Sequence, residues 1–373
     1  MVDQRLIAGA MSGTSADGVD IAICAIAGRG LGMSQRLLVH HAEPYPADLR
    51  RAIFQIRATG QATLSELAEL GRAISLSYAQ AIHIALTKAN LRTTDLTAIA
   101  AHGQTLFHAP PLTIQWLDAA LLACETHCTV ISDFRRADCA AGGQGAPLVP
   151  FADYVLFRDA KRSRALVNLG GIANATILPA NAGIESLIAF DTGPANCISD
   201  HLMRRHDPNG AGVDIDGAIA ATASPNLAVV DRVLGSAYFL KKPPKSTDGP
   251  EMIAAFNDAG GGDLSLSTAL ATACQITASA LAEALRKFSP RLPDEVIVSG
   301  GGANNLTIMR MLQRELPRVP IREIDELGVP GAAKEAIAFA LLGAATLDGE
   351  PANVPSCTGA NRAVVLGTIT PRP

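Results

Sequence analysis

The chain has 373 residues, enough for two or three domains at about 150 residues each. Hydrophobic residues make up 48% and charged residues 18%, which excludes a disordered tail or a solenoid of charged helices and implies a large buried core. Lys plus Arg number 31 against 35 Asp plus Glu; this net charge of −4, with no block of like charges and only 4% aromatics, argues against nucleic acid, a polybasic membrane anchor and base-stacking platforms.

In chain order, Leu6–Gly9 predicts a short apolar strand that runs into the small-residue turn Met11–Gly18, and Val19–Ile26 returns as a second strand. Leu64, Leu67, Leu70, Ile74, Tyr78 and Ile82 recur every three or four residues and predict a helix over about residues 62–90. Ala98–Ala101 predicts a strand that ends at His102-Gly103-Gln104-Thr105. Val130-Ile131 leads into Asp133-Phe134-Arg135-Arg136, and the loop 140–147, small residues closed by Pro147, is the expected domain crossover. The pattern then restarts. Ala165–Leu169, the turn Gly170-Gly171 and Ala173–Leu178 repeat the strand–glycine turn–strand layout of residues 6–26, which points to two similarly folded halves. Ser267–Phe288 predicts a helix stopped by Pro290, and Glu295–Ser299 a buried strand meeting Gly300-Gly301-Gly302. Helices are expected at about 305–316 and 332–347, with strand-like Val319-Pro320-Ile321 between them. This alternation makes the fold α/β.

Seven scattered cysteines, an odd number, do not form a disulfide framework and fit a reducing compartment. The start, Met1-Val2-Asp3-Gln4-Arg5, runs straight into strand-like sequence without a charged n-region or cleavage site. The longest uncharged stretches, 96–117 and 165–184, are broken by His, Gln, Asn and Pro, so none would span a bilayer and a cytoplasmic protein is expected. Cys124 and Cys128 form a lone C-x3-C that reads as helix surface and core rather than a zinc site.

Three segments carry chemistry. No G-x-x-x-x-G-K-[ST] and no G-x-G-x-x-G occurs, yet Gly13, Thr14, Ser15 and Gly18 suit a hairpin whose amides and hydroxyls face an anion. Asp17 and Asp20 make sense beside it if a hydrated magnesium ion stands between carboxylate and phosphate; a tight turn capped by Asp is the alternative. Asp191 follows the apolar run Leu187–Ala189 and precedes Gly193-Pro194, a placement that suits either a general base in a cleft or an Asx turn before a helix. Gly300–Gly302 allows close approach of a nucleotide, or plain strand–helix packing. His102, beside Gln104 and Thr105, suits a site or a satisfied structural histidine.

Together these segments resemble the anhydro-N-acetylmuramic acid kinase family over nearly the whole chain. The residues that carry the resemblance are Gly9–Asp20, Ala101–Thr105, Asp133–Leu148, Asn168–Asn174, Phe190–Asn196, Pro244–Thr247, Ser299–Gly302, Ala333–Glu335 and Thr358–Ala360. The resemblance implies a two-domain actin-like (ASKHA) fold with a nucleotide cleft between the domains. Residues 1–139 plus 362–373 would form the N-terminal domain with the first phosphate loop. Residues 140–361 would form the C-terminal domain with the second phosphate loop and the adenosine-side loop. The implied reaction takes 1,6-anhydro-N-acetylmuramic acid, ATP and water to N-acetylmuramate 6-phosphate and ADP, within cell-wall recycling, with Mg²⁺ as cofactor.

By the same resemblance Asp191 is the catalytic base. Gly13, Thr14, Ser15, Ala16, Asp17, Gly18, Val19 and Asp20 form the β/γ-phosphate loop, with Asp17 and Asp20 reaching the metal through water. Gly170 and Gly171 form the second phosphate loop, Gly300, Gly301 and Gly302 the adenosine side, and His102, Arg135 and Glu335 the sugar cleft. The expected partner is the small-molecule sugar, with no nucleic acid and no membrane, and a homodimer is left open. Three departures stand out: Ala195 where Gly is usual, Trp116-Leu117 where Ile-Gly is usual, and Asp248 inserted after Lys245-Ser246-Thr247. Two rival classes remain. A glycoside hydrolase would pair Asp191 with Asp17 or Asp138 and need no ATP, and a chaperone-like member of the fold would hydrolyse ATP without sugar.

Overall fold

Apolar runs on either side of the small-residue turn pair as antiparallel strands β1 (Arg5–Met11) and β2 (Gly18–Ala27), with Met11 opposite Asp20, and β3 (Ser34–Pro44) extends the sheet beyond β2. This computed structural model describes residues 4–373; the opening Met1-Val2-Asp3, read above as leading into a strand, lies outside them. The helices α1 (Ala47–Thr59) and α2 (Leu64–Lys88) follow, α2 starting at a capping box in which Thr63 and Glu66 exchange hydrogen bonds. β4 (Ala98–Ala101), buried throughout, lies parallel to β1, as its unbroken apolar sequence requires. The hairpin β5 (Gln104–Ala109)–β6 (Leu112–Trp116) leaves its end, and α3 (Ala119–Thr126), β7 (Val130–Ser132), α4 (Arg136–Ala140) and α5 (Val149–Phe157) complete the stretch.

The second unit restates the opening. β8 (Arg164–Leu169), β9 (Ile172–Leu178) and β10 (Ile188–Pro194) form an antiparallel meander. Next come α6 (Asn196–His206), α7 (Leu227–Leu234), α8 (Ala237–Leu240), α9 (Gly249–Asp258) and the long α10 (Leu266–Phe288). β11 (Glu295–Ser299) pairs parallel to β8, followed by α11 (Leu306–Glu315) and β12 (Ile321–Glu323). β12 starts only after Pro320, which has no N–H for the ladder. The chain then returns to the first unit with α12 (Lys334–Asp348), α13 (Pro355–Thr358) and β13 (Thr368–Thr370).

The two sheets run β13-β7-β4-β1-β2-β3 and β10-β9-β8-β11-β12. In each, the glycine-bearing turn joins the first two antiparallel strands, and the parallel neighbour of the first strand ends in a second loop, His102–Thr105 or Gly300–Gly302. The halves expected from sequence therefore share one topology. Each has its own core, with Ile21, Ile74, Tyr78 and Ile99 at the centre of one and Val167, Leu270, Leu281 and Val298 of the other.

The units are the described residues up to Phe157 with Ala333–Pro373, and Arg158–Ala332, so the boundaries expected at 139/140 and 361/362 are corrected. Loop 140–147 is no crossover. The Gly143 N–H donates to the Asp138 carbonyl (2.9 Å), the Gly145 N–H to Asp138 Oδ2 (2.7 Å) and the Gln144 N–H to the Thr358 carbonyl (2.8 Å), and these bonds fix it within the first unit. α12 also belongs to the first unit, because β1 meets it at Gly9, where a Cβ would lie 1.8 Å from the Ala336 carbonyl oxygen. Among the described residues no helix is long and apolar enough to cross a membrane.

Candidate active site

The β1–β2 turn is set from inside and clamped from outside. Buried Ser12 donates to Gln104 Oε1 (2.7 Å), and Gln104 Nε2 donates to the Gly13 carbonyl (3.1 Å). Gln104, fully buried, thus fixes the loop, a role its sequence setting does not reveal. On the outer side Arg57 donates to the Thr14 carbonyl and Arg50 Nη2 to Asp17 Oδ1 (2.6 Å), and their guanidinium carbons lie 5.7 and 5.5 Å from the Phe54 ring centre. Ala16 and Val19 are buried, and Gly18 packs on β3, where a Cβ would come within 2.1 Å of the Glu43 carbonyl oxygen. Thr14, Ser15 and Asp17 are the exposed members. Asp20 Oδ1 lies 3.0 Å from His40 Nε2.

In the second unit the carbonyl of Gly170 accepts the Asn196 N–H (2.9 Å), and that of Gly171 accepts the N–H groups of Ala195 and Cys197 (3.0 Å each), which seats the turn on the start of α6. One glycine in each expected ligand loop is free of any demand from the fold. Gly13, Gly171 and Gly301 have no positive φ, and an added Cβ would meet nothing nearer than 3.8 Å. Their missing side chains leave room for a ligand against the backbone. Gly300, by contrast, needs its φ of +84°, and Gly302 packs on Leu169. Next to Gly301 lies a cavity of ≈ 290 Å³ lined by Asn196, Ser199 and Asp200 of α6, by residues 213–216, and by Asn304 and Asn305. Val213 and Ile215 give it exposed apolar wall. At the departure Ala195 the side chain joins the core, while the backbone stands at φ −115° and ψ −97°, outside both the helical and the extended regions.

Asp191 lies in β10 immediately before a bulge, where pairing passes from Asp191–Asn174 to Gly193–Ala173. Its N–H donates to the Lys245 carbonyl (3.0 Å), its carbonyl accepts from the Tyr238 hydroxyl (2.6 Å), and its Oδ2 accepts from the Thr247 N–H (3.0 Å). It is therefore no Asx turn. Oδ1 makes no hydrogen bond among the described residues. Burial pushes the carboxyl up to about 6, with the Thr247 N–H and the Lys245 charge pulling the other way. The inserted Asp248 caps α9 by accepting the Glu251 N–H (2.8 Å), and Thr247 Oγ1 donates to Glu251 Oε2 (2.6 Å).

The three residues assigned to the sugar lie in the first unit. His102 is buried; its Nδ1 donates to the Gly103 carbonyl (2.9 Å) and its Nε2 accepts from Arg135 Nε (2.9 Å). Burial, then the Arg135 charge, depress this imidazole well below its usual range, so it is neutral. It supports Arg135 from beneath. Arg135 Nη1 also donates to the Gly145 carbonyl (2.8 Å). Glu335, in the first turn of α12, is accessible to water, yet desolvation by the surrounding protein raises its carboxyl above the ordinary range against the pull of Lys334 and Arg135. Trp116 donates from Nε1 to the Leu67 carbonyl (2.8 Å) and lies against Gly71, so this departure is absorbed between hairpin and α2. Asp138, the second carboxylate of the hydrolase reading, is fully buried; it accepts from Gly145 N, Asn353 Nδ2 (2.8 Å) and Thr358 Oγ1 (2.7 Å) and has no oxygen to spare.

Comparison with known proteins adds the following. The profile of the family described as anhydro-N-acetylmuramic acid kinase matches residues 5–372. The anhydro-N-acetylmuramic acid kinase of Gloeobacter violaceus is 40% identical over 380 residues, covering 99% of this chain and 100% of that protein. The protein of the same name from a Bacillus cereus strain is 39% identical over 388 residues, covering 98% of each. Among solved structures, component A of (R)-2-hydroxyglutaryl-CoA dehydratase from Acidaminococcus fermentans aligns with a TM-score of 0.46 at 11% identity, covering 90% of this chain and 96% of that one. So loose a likeness adds nothing to the topology described above.

Proposed function

The chain belongs to the anhydro-N-acetylmuramic acid kinase family, a family of phosphotransferases, and on that premise we propose that it converts 1,6-anhydro-N-acetylmuramic acid, ATP and water to N-acetylmuramate 6-phosphate and ADP. The observation that carries the reading is Asp191, a half-buried carboxylate with Oδ2 occupied by the Thr247 amide and Oδ1 left open. Water attacks the anomeric carbon and gives its proton to Oδ1. The bond from that carbon to the bridging oxygen breaks, and this oxygen, still on C6, takes the γ-phosphoryl group as the bond to ADP breaks. A base near neutrality suits this step, since Asp191 is charged at pH 7 yet basic enough to accept the proton.

The remaining roles are those the family resemblance implies. Gly13–Ser15 and Gly170-Gly171 offer backbone amides to the phosphates, and the ≈ 290 Å³ cavity beside Gly301 takes the adenosine. Arg135, with its charge held by His102 and Gly145, meets the sugar, and Glu335 accepts from its hydroxyls. Magnesium keeps much of its water and takes few protein ligands. Asp17 and Asp20 each fit such an ion through water, because in each only Oδ1 is engaged, with Arg50 and His40 respectively, and Oδ2 makes no hydrogen bond among the described residues. The ion, when bound, neutralises charge on the β- and γ-phosphoryl oxygens. ATP as co-substrate also fits the cytoplasmic location expected from the sequence.

The test is ADP release by the purified protein with and without the anhydro sugar, each with and without EDTA. The reading predicts release only with sugar and free Mg²⁺. Sugar opened in the absence of ATP would instead indicate a hydrolase, and ADP released without sugar an ATPase.

A further inference from the structure

The motif Pro244–Thr247 plays no part in the bond changes described above, yet it grips the base. Lys245 supplies the carbonyl for the Asp191 N–H and Thr247 the N–H for Oδ2, while Tyr238 just upstream binds the Asp191 carbonyl. The Lys245 side chain closes this arrangement. Its ammonium is half-buried, 4.5 Å from the centre of the Tyr238 ring, 5.8 Å from that of Phe239 and 5.4 Å from that of Phe288, and it donates to the Tyr238 carbonyl at 3.4 Å.

Packing alone does not call for a charge here. An apolar chain of the same length would fill the space between the rings without giving up the hydration of an ammonium. Lys241, after α8, and Lys287, on α10, add repulsion, and burial together with these two cations lowers the pKa of Lys245. The group of opposite sign on β10 that acts on it is Asp191, whose charge pulls it back up without an ion pair between the two, while Glu251 of α9 is engaged with Thr247.

We propose that Lys245 is a positioning residue for the catalytic base: its caged ammonium anchors the 244–247 turn so that the Thr247 amide occupies Asp191 Oδ2, Oδ1 is presented to water, and a counter-charge stands beside the carboxylate. The proposal rests on the reading of Asp191 as base. Its test is the pH dependence of kcat, measured for the wild type, Lys245→Met, Lys245→Gln and Lys245→Arg. The wild type shows an acid limb near the value of about 6 given for Asp191. Loss of the neighbouring cation raises the carboxyl, so both neutral variants move the limb up by about 0.5–1 pH unit and lower kcat at pH 6 roughly two- to sixfold. KM for ATP stays within about twofold of the wild type, and Lys245→Arg, which keeps a cation over the rings, leaves the limb in place. The glutamine variant keeps a donor for the Tyr238 carbonyl and stands in if the methionine variant does not fold. A limb that does not move in either neutral variant, or a loss of kcat equal at every pH, overturns the role of Lys245 alone. A wild type with no acid limb overturns Asp191 as the base, and the proposal with it.

Discussion

Asp191 is a carboxylate kept where charge is disfavoured, and its consequences can be measured one residue at a time. Burial raises it to about 6 from an ordinary value of 3.8, so in the folded protein its charged form is destabilising above the unfolded pKa. That penalty is absent below the unfolded value and complete above the folded one. Asp191→Asn keeps an acceptor for the Thr247 amide and removes the charge. It should melt at the same temperature as the wild type or higher at pH 7.5, bind nucleotide normally, and lose roughly 10²–10⁴ in kcat. Near-normal turnover would remove Asp191 from the role, and for the wild type kcat should climb with pH through about 6 and then level off. The aspartate was legible in the sequence from its place after an apolar run and before Gly-Pro. Its partners were not. Lys245, Thr247 and Tyr238 stand 47 to 56 residues away and bind mostly through backbone groups, which leave no trace in residue type. Gln104 escaped for the same reason, since its contact with the Gly13 carbonyl lies 91 residues back along the chain.

Glycines separate structure from function at the level of strands and turns. Gly9 lets α12 lie against β1, whereas Gly171 has nothing within 4 Å of the position a Cβ would take. Gly9→Ala should therefore lower stability by about 3 kcal/mol, near the upper end of overpacking costs, and depress the melting temperature by many degrees. Gly171→Ala should leave the melting temperature within about 1–2 °C of the parent, because it adds a side chain where there is room, while KM for ATP rises at least about tenfold as the added carbon meets the phosphates. An unchanged KM would take Gly171 out of the phosphate loop. From sequence both glycines sit next to short apolar strands and look alike; only the third element packed over Gly9 tells them apart. Strands were readable wherever apolar runs meet turn residues, as at Ala98–Ala101 and Glu295–Ser299. The loop at 140–147 was misread as a crossover because small residues and a proline resemble a hinge until their backbone groups find partners, here Asp138 and Thr358.

Over the whole molecule, two units repeat one strand order, and that repeat was visible as two glycine turns each flanked by apolar runs. Where the units divide was not visible, because α12 follows the second unit in the chain yet packs on β1 of the first, through a contact more than 300 residues apart in sequence. In the proposed reaction water opens the sugar at carbon while the bridging oxygen carries off the phosphoryl group. Running the reaction in ¹⁸O-water tests this directly. The label should appear in the C1 hydroxyl of the phosphorylated sugar, with the C6 oxygen, the phosphoryl group and ADP unlabelled and no labelled inorganic phosphate released. Label in phosphate, or a labelled sugar formed without consumption of ATP, would contradict both the role of Asp191 and that of the Gly13–Asp20 loop.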